Sequence, residues 1–245
     1  MEFYSLLSKH YDNIFQTNTK AISFIEKYIP NKESFLLLDL AAGTGAEAIE
    51  FAKKGNRVLA TDNSPEMVEK IKEKGLSHSP SIETSILDMR KVSKLAPHSF
   101  NIIYCIGNSF VHLDNYKEMT DVLNDCYDRL KAGGKLIIQI VNYDRILGED
   151  ITELPLIKNE ETGVQFERFY RRGHEKIVFK GKLTISKDGE TNVYTSSTTL
   201  LPITKEQFKD IVAASHFTNM EIFGTFLGDK YTTSSPALVA VLLKE

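Results

Sequence analysis

The chain has little cysteine. Of its 245 residues only Cys105 and Cys126 carry thiols, which argues against a disulfide-stapled secreted fold. It also lacks an excess of either charge: thirty lysines and arginines against thirty-three aspartates and glutamates leave a formal net charge of −3. Nucleic-acid binders show the opposite, a basic footprint that neutralises phosphate. No apolar run suffices to span a bilayer; the longest late one ends after Ala237 to Leu243. The opening MEFYSLLSKHYDNIF has neither the basic nor the apolar region of a signal peptide. Repeats and low-complexity tracts are absent. What is present, 42% hydrophobic residues, is enough for a core and too much for a disordered chain. The expectation is a cytoplasmic globular protein of enzyme size, with no nucleic-acid or membrane partner.

Elements alternate along the first part of the chain. Ala21, Phe24, Ile25, Tyr28 and Ile29 share one helix face, and Pro30 closes that helix. Phe35 to Leu40 is a continuous apolar run, the pattern of a strand buried on both faces. A glycine turn and a helix through Ala48, Ile49 and Ala52 follow, then a strand over Arg57 to Thr61. Ser64 is placed to cap the next helix, with Pro65 in its first position. Short strands at Ile82 to Ile86 and Asn101 to Ile106 precede a helix from Tyr116 to Leu130, ended by Gly133-Gly134. Lys135 to Val141 is the fifth strand. This alternation predicts an α/β fold with a mostly parallel, Rossmann-like sheet.

The period then shortens to two. Ile177, Phe179, Leu183 and Ile185 alternate with polar residues, and Lys187-Asp-Gly-Glu190 is a hairpin signal. Val193 to Leu200 supplies the return strand and Gly163 to Arg171 a further partner. Residues 145–201 thus form a small inserted antiparallel sheet, a lid or substrate subdomain. The core is expected over 1–144 and 202–245, where Thr204-x-x-Gln207 is a capping box and strands near 217–224 and 237–243 close the sheet.

Gly43-Thr-Gly45-Ala-Glu-Ala48 fits G-x-G-x-x-A between a buried strand and a helix, where glycines permit close backbone approach and the helix offers free N–H groups. Asp62 ends the next strand, where a carboxylate can accept both hydroxyls of a ribose. Together they indicate an adenosine-containing cofactor, although a sharp turn and a helix-capping aspartate would use the same residues. Tyr127-Asp-Arg-Leu-Lys131 reads as the Y-x-x-x-K of nicotinamide oxidoreductases. Tyr127 continues its helix's apolar stripe, however, and Lys131 suits the last helical turn.

Two more features favour a different cofactor. Asp39 leads into the glycine turn as D-L-A-A-G-T-G, and Asp88-Met89 follows the third strand. With Leu130-Lys-Ala-Gly-Gly-Lys-Leu-Ile-Ile138, this spacing resembles the class I S-adenosylmethionine-dependent methyltransferases. Gly107-Asn-Ser-Phe-Val-His-Leu113, Asn142-Tyr-Asp-Arg-Ile-Leu147 and Phe226-Leu-Gly-Asp-Lys-Tyr231 are similar to the glycine N-methyltransferase branch. The resemblance covers residues 35–147 and 200–245 and is weaker elsewhere.

The resemblance implies S-adenosyl-L-methionine as cofactor and S-adenosyl-L-homocysteine as product. It places Asp62, with Asn63 and Met67, at the ribose, and Asp88 and Met89 at the adenine. Asp39, Ala41, Gly43, Gly45 and Ile106 would lie along the methionine portion. Tyr4 and Tyr11 resemble aromatic lid residues, which gain cation–π attraction beside a sulfonium. Gly107, Asn108, His112 and Arg145 would face the methyl acceptor, with His112 the candidate base and Asn108 its catalytic neighbour. No residue set is assigned to a metal.

Two positions depart from that branch. Its arginine immediately before N-Y-D-x-I-L, which grips an amino acid carboxylate, is here Val141, and its cofactor-contacting arginine falls at Thr17 or Asn18. Arg145, Arg168, Arg171 or Arg172 could substitute for the first, though the last three read as a solvated basic strand face. No Pro-Cys or D/N-P-P-Y motif suggests nucleic-acid base methylation. The expected activity is methyl transfer to a small-molecule acceptor, an amine nitrogen first. O-methylation, a nicotinamide-dependent oxidoreductase and a non-catalytic S-adenosylmethionine-binding module are the alternatives. Oligomeric state is left open.

Overall fold

The computed structural model describes residues 2–29, 35–78, 82–187 and 189–245. The first half contains α1 (Glu2–Ile14), α2 (Thr19–Glu26), β1 (Leu36–Leu40), α3 (Ala46–Lys53), β2 (Arg57–Asp62), α4 (Pro65–His78), β3 (Ile82–Ile86) and β4 (Phe100–Cys105). Then come α5 (Tyr116–Arg129), β5 (Leu130–Val141), α6 (Tyr143–Gly148) and the strands β6 (Glu153–Asn159), β7 (Val164–Arg172), β8 (Ile177–Lys187) and β9 (Glu190–Leu200). α7 (Lys205–Ala213), β10 (Asn219–Phe223) and β11 (Ala237–Leu243) close the chain. Two short 3-10 turns, Met89–Lys94 and Phe110–His112, follow β3 and β4. Among the described residues no helix is long and apolar enough to cross a membrane.

The strands form a seven-stranded sheet in the order β10-β11-β5-β4-β1-β2-β3. β1 to β5 run parallel, while β11 is antiparallel to both β5 and β10. Leu37 and Leu38 of β1 are fully buried, as a strand covered by helices on both faces requires. Chain order reverses between β1 and β4, so their carboxyl ends open the crevice where such sheets hold ligands. The expected caps are present: Ser64 Oγ accepts from the Met67 N–H at 3.3 Å, and Thr204 and Gln207 form a reciprocal capping box.

Three boundaries differ from expectation. α2 ends at Glu26, and Pro30 lies outside the described residues. α5 stops at Arg129, because Leu130 already pairs with Phe100 and begins β5. Gly133 and Gly134 therefore do not cap a helix. They extend β5 toward the chain end, where the Gly133 N–H donates to the Lys244 carbonyl and the Lys244 N–H to that of Gly134, each at 2.9 Å. This also separates Tyr127 from Lys131. Tyr127 stacks edge-on with Phe217, centroids 5.1 Å apart, while Lys131 Nζ lies 3.3 Å from Asn101 Oδ1 on the strand side.

β6, β7, β8 and β9 form a separate antiparallel sheet in which Lys187 of β8 pairs with Glu190 of β9, and Asp188 of the expected hairpin signal lies outside the described residues. Along β7 the buried residues Val164, Phe166 and Tyr170 alternate with more exposed ones, so this sheet has one covered face. Val164, Phe166 and Leu183 pack with Leu7 and Ile14 of α1, whereas Tyr170 and Ile177 join the core under the large sheet.

Gly45 shows how tightly the glycine turn sits on the fold. It enters α3 at φ +74, and a Cβ there would come within 2.9 Å of two Ile71 carbons. Gly45→Ala should therefore cost about 1–3 kcal/mol from overpacking alone. Urea unfolding measures it; an unchanged midpoint would show that α4 can yield.

Candidate functional site

The glycine turn is built around one carboxylate. Asp62 is buried at the end of β2, and its Oδ2 accepts from the Gly43 N–H at 2.9 Å while its Oδ1 accepts from the Ser64 N–H, also at 2.9 Å. It thereby ties the turn after β1 to the start of α4. Burial raises its pKa, offset in part by the bonds from Ser64, Gly43 and Asn63. Ala41 and Gly43 both adopt positive φ, +68 and +55, which turns the backbone sharply at the carboxyl end of β1.

Asp39, 2% exposed, lies beneath that turn. Burial pushes its pKa well above the ordinary 3.8, and the neighbouring charges that raise it further are the carboxylates of Glu47 and Asp62. The adjacent Tyr104 hydroxyl is buried without a hydrogen bond of full geometry. Tyr11 of α1 lies over the turn, its ring 3.2 Å from where a Gly43 Cβ would stand. Its phenol is raised by burial and then by Asp62, Glu47, Asp12 and Asp39. α1 is pinned there: Thr44 Oγ1 donates to Asp12 Oδ1 at 2.5 Å, and Lys74 Nζ pairs with Asp12 at 2.8 Å. Among the described residues no lysine or arginine forms an ion pair with Asp39, Glu47 or Asp62. The site thus gathers three carboxyl groups without a lysine or arginine partner.

From the turn a cleft of about 320 Å³ runs toward the inserted sheet. Of the expected site residues it brings together Tyr11, Asp39, Ala41, Ile106, Gly107 and Asn108. Asp88 stands at the end of β3, half-buried, where it caps the Arg90 N–H at 2.9 Å and pairs with the Arg90 guanidinium at 3.1 Å. Met89 is half-buried, Met67 buried and Asn63 exposed near the ends of β3 and β2, outside the cleft's lining. The Tyr4 side chain lies outside the described residues.

Three assignments change. Asn108, at φ +70, is a brace: its Oδ1 accepts from the Val141 N–H at 2.9 Å and its Nδ2 donates to the Tyr143 hydroxyl at 3.1 Å. Both amide ends are engaged in holding the loop after β4 to β5. His112 ends a 3-10 turn beside Arg90, whose Nη2 lies 3.5 Å from the His112 carbonyl, and the residue does not line the cleft. Arg145 points away as well, paired with Glu149 one helical turn on at 3.2 Å.

Gln139 and Glu47 enter unforeseen, and Arg168 enters from among the candidate substitutes for the missing arginine. Gln139 Oε1 accepts from the Gly107 N–H at 2.8 Å and fixes the same loop from β5. Glu47, in the first turn of α3, accepts from the Asn18 N–H at 2.8 Å and adds to the negative charge. Arg168 reaches the cleft from β7, while Arg171 and Arg172 are exposed as the basic-face reading has them. The period-two alternation of β7 could have marked Arg168, since it shares parity with Val164, Phe166 and Tyr170.

A parallel sheet with an antiparallel closing pair, and a glycine turn braced by an aspartate at the end of β2, are the arrangement that the resemblance to class I methyltransferases implies. Residues 37–134 match the family described as "Methyltransferase domain". A glycine/sarcosine N-methyltransferase from Halorhodospira halochloris is 31% identical over 140 residues, covering 56% of this chain and 52% of that protein. Human glycine N-methyltransferase is 32% identical over 124 residues, 45% of this chain and 42% of its own length. The chain thus spans about half the length of the curated relatives it matches. By fold it resembles the crystal structure of an S-adenosylmethionine-dependent methyltransferase from Clostridium acetobutylicum, with a TM-score of 0.80 at 17% identity over 99% of this chain and 98% of that one. CalS10, an amino pentose methyltransferase from Micromonospora echinaspora whose structure has S-adenosylmethionine bound, gives 0.71 at 16% identity over 96% and 94%.

Proposed function

We propose that the protein transfers a methyl group from S-adenosylmethionine to the nitrogen of a small-molecule amine. The observation that carries this reading is the cluster of three carboxyl groups, Asp39, Glu47 and Asp62, around the glycine turn, none of them paired with a lysine or arginine among the described residues. A buried anion without a partner is costly, and a cationic ligand relieves that cost. The ammonium and sulfonium of S-adenosylmethionine fit such a site, while the pyrophosphate of a nicotinamide dinucleotide would be repelled by it. The nitrogen preference follows the sarcosine, glycine and amino-pentose enzymes that the chain resembles.

In this reading Asp62 holds the ribose, Asp88 and the Met89 backbone hold the adenine, and Asp39 and Glu47 face the amino acid end. Tyr11 closes over the turn, and α1 with the insertion over 145–201 forms the lid that excludes water and shapes the acceptor pocket. When bound, S-adenosylmethionine supplies an electrophilic methyl carbon on a positively charged sulfur that leaves as a neutral thioether. The chain's own contribution is alignment, because bringing an amine lone pair into line with that carbon removes most of the barrier's entropic part. The loop from Gly107 to Asn108, fixed by Gln139 and Tyr143, is the rigid wall for that alignment. An amine entering deprotonated needs no strong base, consistent with the position of His112 outside the cleft.

Calorimetric titration with S-adenosylmethionine, S-adenosylhomocysteine and NAD tests the cofactor. Micromolar binding of the first two without NAD is expected, and NAD binding alone would sink the proposal. Incubation with labelled cofactor and a panel of amines and phenols tests the rest. Tight cofactor binding with no transfer to any acceptor would instead favour a non-catalytic binding module.

A further inference from the structure

The charged residues of the inserted sheet are paired or solvated with one exception. On the outer face of β7, Glu167 pairs with Lys182 of β8 at 2.7 Å. Arg172 is exposed and stands 4.0 Å from Asp150. Arg168 falls on the opposite, covered face, in line with Val164, Phe166 and Tyr170. It sits where the sheet's packing against α1 gives way to its packing against the main core, and there the cleft opens. Among the described residues that line the cleft it is the one lysine or arginine.

Its guanidinium is incompletely satisfied. One Nη2 hydrogen bond goes to the Pro155 carbonyl at 2.9 Å, and the buried Nε has no partner. No carboxylate lies within ion-pair distance among the described residues, and burial pulls its pKa below the usual arginine value. A buried N–H of a cation left unpaired costs free energy that an anion can return. The planar fork of a guanidinium selects a two-oxygen partner, because two parallel N–H···O bonds fit a carboxylate. On the same cleft wall Val141 is apolar, and Asn108 is occupied by its bracing bonds. No other side chain there could neutralise an anion.

We propose that Arg168 is a specificity-determining residue that binds the carboxylate of the methyl acceptor, so that the substrate is an amine carrying a carboxylate. The inserted sheet then selects the acceptor as well as covering it. The inference rests on the methyltransferase reading above. It places the cation-binding end of the cleft at Asp39 and Glu47 and the anion-binding end at Arg168.

The test uses the whole 245-residue chain saturated with S-adenosylhomocysteine and labelled so that arginine Nε–H signals are observed by NMR. Glycine, sarcosine and a panel of larger amino acids are added, each beside its uncharged amide. The Arg168 signal, assigned by its loss in Arg168→Gln, should shift with the acids and not with the amides. In parallel, Arg168→Gln should raise KM for an acid acceptor about 100-fold, the gain expected of a bidentate charged pair. It should leave S-adenosylmethionine affinity within about twofold and abolish the preference for acids over amides, while Arg171→Gln on the outer face changes none of these. An Arg168 signal that responds to no acid overturns the proposal. So does one that shifts when S-adenosylhomocysteine binds and no further, since the cofactor's own carboxylate would then be its partner. Failure of the methyltransferase reading looks different: S-adenosylhomocysteine would not bind, or no amine would be methylated although Arg168 responds to acids.

Discussion

Asp62→Ala is expected to weaken S-adenosylmethionine binding by about 100-fold or more. Hydrogen bonds to a charged group contribute roughly 1.5–3 kcal/mol each, and two ribose hydroxyls on one carboxylate would bring about 3 kcal/mol or more, at about 1.4 kcal/mol per tenfold in affinity. A second loss adds to the first. Asp62 also holds the Gly43 and Ser64 N–H groups, both at 2.9 Å, so the turn and the start of α4 lose their common tie. Asp62→Asn separates the two contributions. It preserves shape and one acceptor oxygen, and should cost less affinity and less stability than alanine. Calorimetry with S-adenosylhomocysteine and urea unfolding of both variants read the two effects independently. Unchanged affinity in Asp62→Ala with an intact fold would remove Asp62 from the ribose.

The parts of this site that the sequence shows are those where backbone geometry demands a particular residue. Gly43 and Gly45 are needed because the turn takes positive φ and Ile71 crowds the second of them, and Asp62 is needed to tie it. The buried strands show for a similar reason, since covering on both faces forces continuous apolar runs. β6 gives no such signal. Pro155 interrupts it and its register shifts between Leu154 and Ile157, as an edge strand tolerates and a central strand would not. α6, six residues long, is too short to display a helical period.

Side-chain direction is harder to read than placement. Arg145 stands beside a matching motif, yet one turn of helix carries it out to Glu149. His112 ends a three-residue 3-10 turn with its backbone carbonyl near Arg90 and does not line the cleft. Arg168 was hidden by charged neighbours at 167, 171 and 172, which dilute it into an apparently solvated strand. The alternation of β7 is the better guide there, because parity decides which face a residue meets. The two departures, at Val141 and at Thr17 or Asn18, concern residue identity alone. The alternation of β7 marks Arg168 as facing inward, and the folded arrangement shows that the face it meets is the cleft.

Asp39→Asn should act in opposite directions on stability and on binding. In the ligand-free protein burial, with Glu47 and Asp62 nearby, raises the folded-state pKa of Asp39 well above its ordinary 3.8. The fold therefore favours the protonated form. Its penalty is absent below the unfolded pKa, grows as pH rises through the interval between the two values, and is complete above the folded pKa. Asparagine keeps the shape without the charge, so the variant should be more stable than the parent at pH 8, by about 1–3 kcal/mol if the penalty resembles that of other unsatisfied buried groups. Its advantage should vanish near pH 4. Binding of S-adenosylmethionine reverses the preference, because a cation beside Asp39 favours the carboxylate. Affinity for the parent protein should rise with pH, and binding should release protons, measurable by calorimetry in buffers of different ionisation enthalpy. Asp39→Asn should weaken binding by about tenfold or more, roughly 1.4 kcal/mol, and reduce the proton release. If the variant is less stable at every pH, Asp39 is a structural anion held by contacts that asparagine cannot make. If it is more stable but binds S-adenosylmethionine as tightly as the parent, the cation lies elsewhere, and Glu47 becomes the carboxylate to replace.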